Sequence, residues 1–162
     1  MARKTSCETF SASDEFAMDV CITTRASPGR SSLQQGQQVS DWLHKAVNIA
    51  GLDREKYWAI ALDTRLHPLA LLEIFTGGVS SSIVDPVLLF RRLLQVPLCN
   101  AAVLIHNHPS GEARPSPDDE RLILLLEGGA RSIGLRILDH LIVTADPGVW
   151  FSSRQGHGGG RR

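Results

Sequence analysis

The sequence predicts an α+β domain, or more specifically a three-layer α/β/α arrangement in which helices flank a mixed sheet. The predicted elements run helix, two strands, helix, strand, helix, strand, which is not the regular alternation that builds a parallel α/β fold. Only residues 64–69 separate two consecutive apolar runs, so these runs are expected to form an antiparallel hairpin. A chain of 162 residues buries about 70% of its unfolded surface, enough for one domain with a core.

The first part of the chain is predicted to contain a tail, an edge strand and a helix. Residues 1–15 are polar and lack a periodic pattern, so we expect them to be disordered. The apolar run 16–23 predicts an edge strand, and the glutamine-rich segment 25–38 predicts a loop. Ser40 is the expected N-cap of a helix that Gly51 ends.

Buried strands and a second helix are predicted for the middle of the chain. Residues 57–62 and 69–75 form apolar, partly aromatic runs that are typical of buried strands. Asp85 is a suitable N-cap for a helix over residues 87–95, and Pro86 fits its first turn because an amide proton there would lack a partner anyway.

The remaining elements follow from similar patterns. Residues 101–105 predict a fully buried strand, and residues 117–120 begin a helix whose acidic side chains lie near the positive end of the helix dipole. The glycine pair at 128–129 is expected to end or weaken that helix, and residues 135–143 predict another strand. We expect the folded domain to span residues 16–152, closing with a short strand at 150–152. The glycine-rich residues 153–162 are expected to be a flexible tail.

The composition limits the choice of partners and location. Lysine and arginine equal aspartate and glutamate at 17 each, so the charge gives no support for broad attachment to nucleic acid or to an anionic membrane. No apolar run approaches the roughly 20 residues that span a bilayer, and the N-terminus lacks a signal-type segment. We therefore expect a cytoplasmic protein without membrane contact, with its three cysteines reduced.

The chemistry concentrates where the buried strand 101–105 ends. His106 and His108 are two residues apart in an extended segment, so their imidazoles lie on one face and can converge on one ion. A proline- and glycine-rich loop can bring Asp119 back beside them. Two histidines and a carboxylate are the ligands of a catalytic zinc, which keeps a fourth position for water. The alternative is a pair of ordinary loop histidines and a helix-capping aspartate.

A longer pattern favours the metal site. His-x-His, seven residues and Ser-x-x-Asp resembles the motif of the JAMM, or MPN-plus, metalloenzymes, and it is carried here by His106, His108, Ser116 and Asp119. The additional residues Pro109, Ser110, Gly111 and Pro115 make the stretch similar to the RadC family. The resemblance implies a curved mixed sheet of the cytidine-deaminase-like type. It also implies a zinc hydrolase of peptide or isopeptide bonds, with Ser116 donating a hydrogen bond to the oxyanion.

The resemblance also implies a general base between the first helix and the following strand. Glu55 occupies that position, two residues ahead of an aromatic residue. Glu73, inside an apolar strand, is the second choice, because a carboxylate there must be exposed at an edge or functional. The segment 85–88 departs from the family, which usually has His-Pro-Arg-Glu there, and this puts any contact made by those charges in doubt. For Asp139 and His140 we expect a structural or supporting role rather than metal ligation.

The substrate and partners are left open by the sequence. Relatives with this site cleave ubiquitin-like conjugates, so a protein or peptide substrate is expected, whereas the RadC branch carries a DNA-repair label. A DNA-repair-associated factor, with or without nuclease activity, and a non-catalytic interaction module are the alternatives. The first predicts a basic stripe with stacking aromatics, which is missing from the sequence. The scissile bond and the oligomeric state are not predicted.

Overall fold

The strands and helices are given for residues 22–23, 32–76 and 84–158, which the computed structural model describes. The strands in these ranges are β1 Ile22–Thr23, β2 Lys56–Leu62, β3 Pro68–Thr76, β4 Ala101–Asn107, β5 Arg136–Val143, β6 Trp150–Ser152 and β7 Gly156–Gly158. The α-helices are α1 Gly36–Ala46, α2 Pro86–Leu94 and α3 Pro117–Ser132, and a 3₁₀ turn spans Ile49–Gly51. None of these helices combines the length and apolarity needed to cross a membrane.

The strands form one mixed sheet in the order β1-β3-β2-β4-β5-β6-β7. β2 and β3 are antiparallel neighbours, which confirms the predicted hairpin. β4 lies in the middle, antiparallel to β2 and parallel to β5. Parallel neighbours need a crossover connection, and α3 supplies it between β4 and β5. β5 therefore lies directly beside β4, the strand that contains His106 and leads into His108.

Helices cover both faces of this sheet. On one face, Leu89 of α2 and Leu126 of α3 pack with Leu104 of β4 in a single apolar cluster. On the other face, Leu43 of α1 packs with Trp58 and other residues of alternate strand positions. This confirms the α+β class and the layer order predicted from the sequence. We call the first face the α3 face and the second the α1 face.

The first helix begins earlier than the sequence predicts. Ser40 is not its N-cap but lies inside α1, fully buried, with its hydroxyl donating to the carbonyl of Pro147 at 3.0 Å. The N-cap is Gln35, and the side chain of Gln38 accepts hydrogen bonds from the backbone amides at the helix start. The helix ends at Ala46, before the 3₁₀ turn, so the predicted end at Gly51 is also wrong.

The glycine pair does not end the third helix, which continues to Ser132. None of the described residues comes within 4 Å of a Cβ placed at Gly128, but a Cβ at Gly129 would come within 2.7 Å of Cε2 of Phe90 in α2. Gly129 therefore allows the two helices of the α3 face to approach closely. This tertiary contact explains why the helix tolerates glycine there, although glycine is a weak helix former.

The C-terminal segment is ordered further than expected. Gly156–Gly158 form β7, which is antiparallel to β6, so the predicted flexible tail is wrong for these residues. Asp139 explains the turn between the two strands, because its carboxylate accepts hydrogen bonds from the hydroxyls of Ser152 and Ser153 at 2.6 and 3.1 Å. The predicted tails at residues 1–15 and 159–162 lie outside the described residues, as does the predicted edge strand 16–23 except for Ile22–Thr23.

Candidate metal centre

The two histidines leave the sheet at the carboxyl end of its central strand. Every residue of β4 is buried, including His106, and the amide of His108 still donates to the Val143 carbonyl of β5 at 3.0 Å. The strand register is therefore maintained up to His108. Because alternate residues share a face, both rings lie on the α3 face, and their Nε2 atoms are 3.1 Å apart.

The first turn of α3 holds the aspartate in place. Ser116 is the N-cap, and its Oγ accepts from the amide of Asp119 at 3.1 Å. In return, Oδ2 of Asp119 accepts from the backbone amide and the hydroxyl of Ser116 at 2.7 and 2.6 Å. This reciprocal capping box leaves Oδ1 facing His106, with 3.3 Å between Oδ1 and Nε2.

These donor atoms fit a metal ion. Zinc ligands in a tetrahedral site lie about 2.0–2.1 Å from the metal, which places any two of them about 3.3 Å apart. The two histidine nitrogens are 3.1 Å apart, and Asp119 oxygens lie 3.3 Å from His106 Nε2 and 3.7 Å from His108 Nε2. Of the described residues, His106, His108 and Asp119 form the group with donor atoms close enough to share an ion.

The tautomer of His108 suits a metal ligand. Its Nδ1 lies 2.9 Å from the carbonyl oxygen of Glu112, and since a carbonyl only accepts, Nδ1 carries the proton. In the neutral ring this leaves a lone pair on Nε2, which faces the other donors. A supporting hydrogen bond of this kind also fixes the ring orientation, as is usual for metal-binding histidines.

The electrostatics of the group favour an anionic aspartate. Burial works against its charge, but hydrogen bonds from His106 and His108 hold the pKa of Asp119 far below its usual range. Burial alone would lower the pKa of His108. The pKa is nevertheless raised overall, because the ring is hydrogen-bonded to Asp119 and to the Glu112 carbonyl and lies in the field of the Glu55 charge. A divalent ion bound there would replace the proton that the raised pKa favours on His108.

Tyr57 supports the ring of His106 from the neighbouring strand. The two residues are directly paired between β2 and β4, and their rings stack with centroids 5.6 Å apart and planes within 7°. Burial, with a smaller effect from the charge of Asp119, raises the pKa of Tyr57 well above its usual value. The phenol therefore stays neutral and acts as a packing surface for the His106 ring.

The two candidate bases lie on different sides of the sheet. Glu55 is exposed and directly precedes β2, two residues before Tyr57. Its charge contributes to the raised pKa of His108. Glu73 is paired with Trp58, whose side chain belongs to the α1 face, and it forms an ion pair with Lys56 at 2.9 Å. Of the two carboxylates, Glu55 is the one beside the metal group.

Other residues of the site were not recognised in the sequence. Asn107 lies between the two histidines with 1% of its surface exposed, and its amide contacts the backbone on both sides of Glu55. Its partners are main-chain atoms about fifty residues away in sequence, so no side-chain pattern marks the contact. The His-x-His motif allows any residue at position 107, so it does not indicate a role for Asn107.

His140 lies on β5, on the same sheet face as His106. It is 3% exposed, and neither ring nitrogen has a hydrogen-bond partner among the described residues. Burial, with smaller repulsion from His106 and Arg154, lowers the pKa of His140 to about 3. His140 is not in the group that can hold the ion, and Asp139 binds the β6–β7 turn as described above.

The fold and the site together define a class of protein. A mixed sheet with helices on both faces, two histidines at the end of its central strand and an aspartate at the start of the next helix are the features of a JAB-type domain. The chain belongs to the RadC family, because the RadC-like JAB domain matches residues 33–158. The resemblance seen in the motif is thereby confirmed over most of the chain.

Curated relatives agree with this assignment. A UPF0758 protein from Desulforudis audaxviator is 38% identical over 91 residues, which cover 56% of this chain and 39% of the relative. A UPF0758 protein from Rubrobacter xylanophilus is 31% identical over 137 residues, covering 85% of this chain and 57% of the relative. The chain thus spans about half the length of these relatives.

Proposed function

We propose that the protein is a zinc-dependent hydrolase that cleaves a peptide or isopeptide bond. The observation that carries the proposal is the convergence of His106, His108 and Asp119, with 3.1 Å between the two Nε2 atoms, 3.3 Å from Oδ1 to His106 and 3.7 Å from Oδ2 to His108. Zinc held there would supply Lewis-acid chemistry, lowering the pKa of water and polarising a carbonyl group. A three-ligand set without cysteine is typical of catalytic rather than structural zinc sites.

Glu55 is the proposed general base. Its exposed carboxylate accepts a proton from the attacking water and then delivers this proton to the nitrogen of the leaving amine. A carboxylate suits both steps because it can hold the proton between them. Its place beside the metal group, whereas Glu73 is tied to Lys56 on the α1 face, supports the choice of Glu55.

Ser116 has two proposed tasks that alternate. Its hydroxyl donates to Oδ2 of Asp119, and a hydroxyl has only one hydrogen to donate at a time. To stabilise the oxyanion, as the family resemblance implies, the hydroxyl must turn away from Asp119. Oδ2 would still accept from the backbone amide of Ser116 at 2.7 Å, so the ligand would remain anchored during the step.

The test combines metal analysis with turnover. We expect zinc-loaded wild type to cleave internally quenched peptides or Lys-linked isopeptides, His106→Ala to lose zinc, and Glu55→Gln to keep zinc while losing at least about 100-fold in kcat. Glu73→Gln is the matched control and should retain turnover. Stoichiometric zinc in His106→Ala would contradict the site, and loss of turnover in Glu73→Gln alone would reassign the base. Zinc binding without cleavage of any amide substrate would favour a binding module.

A further inference from the structure

We propose that Asn107 is a positioning residue that holds the Glu55 segment against the metal strand. This inference rests on the proposed function, because it assigns Asn107 an effect on catalysis through Glu55. It concerns a side chain that binds neither the metal nor the substrate. The observations are its two hydrogen bonds, its burial and its place at the end of the β2–β4 pairing.

The side-chain amide of Asn107 forms hydrogen bonds with the backbone on both sides of Glu55. Its Oδ1 accepts from the amide of Lys56 at 2.8 Å, and its Nδ2 donates to the carbonyl of Arg54 at 3.1 Å. The side chain is 1% exposed, so water does not compete for these two bonds. One planar group therefore ties the residue before Glu55 and the residue after it to β4.

These bonds occur where the main-chain pairing of the two strands stops. The β2–β4 pairing ends at Tyr57 and His106, so the next pair along the strands would be Lys56 with Asn107. The amide of Lys56 bonds instead to a side chain of β4, although Lys56 is still paired with Thr76 of β3. Asn107 thus determines the path of the chain at the residue that carries the proposed base.

Glu55 depends on this support because, among the described residues, no hydrogen bond fixes its side chain. Within the part of the chain that the structure describes, no side chain donates a hydrogen bond to its carboxylate, which is exposed to solvent. The position of the carboxylate is then set by the backbone of residues 54–56. A displacement of about 1 Å in a catalytic group can lower the rate about 100-fold.

Only an asparagine provides this contact at this length. Aspartate keeps an acceptor for the Lys56 amide but has no donor for the Arg54 carbonyl, and alanine removes both bonds. The series of Asn107, Asn107→Asp and Asn107→Ala therefore removes the two bonds stepwise. Asn100 directly precedes β4 and binds Arg136 through its side chain, so Asn100→Ala is a matched control at the opposite end of the same strand.

The experiment measures folding, zinc and turnover in the full chain. We expect Asn107→Ala to bind stoichiometric zinc and to lower kcat about 10- to 100-fold with little change in KM, with Asn107→Asp between it and wild type. Hydrogen exchange of the Lys56 amide should become faster in Asn107→Ala. Asn100→Ala should leave all three measurements near wild type.

A double variant separates positioning from a general structural effect. If Asn107 acts through Glu55, adding Asn107→Ala to Glu55→Gln should cause no further loss of residual turnover. A further equal loss in that background, wild-type kcat in Asn107→Ala, or unchanged exchange at Lys56 would overturn the inference. Wild-type turnover in Glu55→Gln would instead overturn the proposed base, while exchange at Lys56 would still report whether Asn107 holds the segment.

Discussion

The two oxygens of Asp119 have different tasks. Oδ2 accepts two hydrogen bonds from Ser116, whereas Oδ1 faces His106. The capping box, usually a device for helix stability, here also orients a carboxylate that could bind a metal ion. The Ser-x-x-Asp part of the motif therefore has a geometric reason: the serine and the aspartate are the N-cap and third residue of the same helix.

His140 predicts a pH dependence of stability. Its folded pKa of about 3 lies below the usual 6.5, so the unfolded chain binds a proton at higher pH than the folded chain does. Stability supplied by the neutral ring is present above pH 6.5 and decreases as the pH falls toward 3. For one such group the expected loss is about 2 kcal/mol between pH 7 and pH 5.

His140→Phe should remove this contribution. The substitution replaces two unpaired buried nitrogens by apolar atoms, so we expect the free energy of unfolding at pH 7 not to decrease. Denaturant unfolding at pH 7 and pH 5 gives the difference for each protein. An equal acid loss in wild type and variant would show that His140 is not the group responsible.

Some residues of the candidate site, but not all, could be predicted from the sequence. His106, His108 and Asp119 were predicted as one group from their spacing, and the structure brings them together. Asn107 and Tyr57 were not assigned roles, because a bond to a distant backbone and a ring stacked across a strand pair depend on register. The hydrophobic alternation of a strand indicates which face a side chain takes, but not which residue of a strand distant in sequence it will meet.

At the scale of elements, the contact between α2 and α3 gives the next prediction. A Cβ at Gly128 meets none of the residues that the structure describes, so Gly128→Ala should raise the free energy of unfolding by about 0.5–1 kcal/mol through helix propensity. Gly129→Leu should lower it by more than 1 kcal/mol, because the side chain meets the ring of Phe90. Thermal and denaturant unfolding of the two variants provide the comparison.

Leucine is itself a good helix former, so a loss in Gly129→Leu would arise from the helix contact. Equal effects at the two glycines would contradict the close approach of α2 and α3. The same contact explains why α3 was predicted to end too early. Propensity treats both glycines as weak points, and only the packing against Phe90 distinguishes them.

The starts of helices were predicted correctly where a capping side chain was unambiguous. Asp85 accepts from the amide of Val87, and Pro86 occupies the first turn of α2, both as expected. In α1, Ser40 is predicted to be the N-cap, but its hydroxyl donates a hydrogen bond to the Pro147 carbonyl instead. A polar residue inside a helix was thus mistaken for its boundary because its partner lies across the fold.

For the whole molecule, zinc should stabilise the fold. A ligand that binds only the folded state adds about 4 kcal/mol when its concentration is 1,000 times Kd. The pKa of His108 is raised above its usual 6.5, so zinc must displace a proton from this ring below that raised pKa. Below that pKa, zinc affinity should therefore fall by about tenfold for each proton displaced when the pH decreases by one unit.

Asp119 does not add to this pH dependence near neutrality, because its pKa lies far below its usual range. The measurement is the midpoint of thermal unfolding with zinc and with a chelator, together with zinc affinity from competition at pH 8 and pH 6. Equal affinities at these two pH values would contradict the proton displacement. His106→Ala is the control that should show no stabilisation by zinc.

The class of the whole fold followed from element order, but its central pairing did not. The hairpin of β2 and β3 was predicted from a short connection, whereas the parallel pairing of β4 with β5 requires a crossover whose direction no local pattern shows. The antiparallel β7 was missed because glycine-rich residues are usually mobile, although backbone hydrogen bonds need no side chains.

The residues that could bind the metal ion come from two elements, and this has a mechanical consequence. His108 directly follows the central strand and Asp119 lies in the first turn of α3, so an ion shared by them would convert the intervening loop into a closed ring. Chain ends joined in this way lose most of their freedom to separate. Glu112 in this loop is exposed, so a chelator that reopens the ring should speed cleavage there by glutamyl endopeptidase, because the freed loop can adapt to the protease.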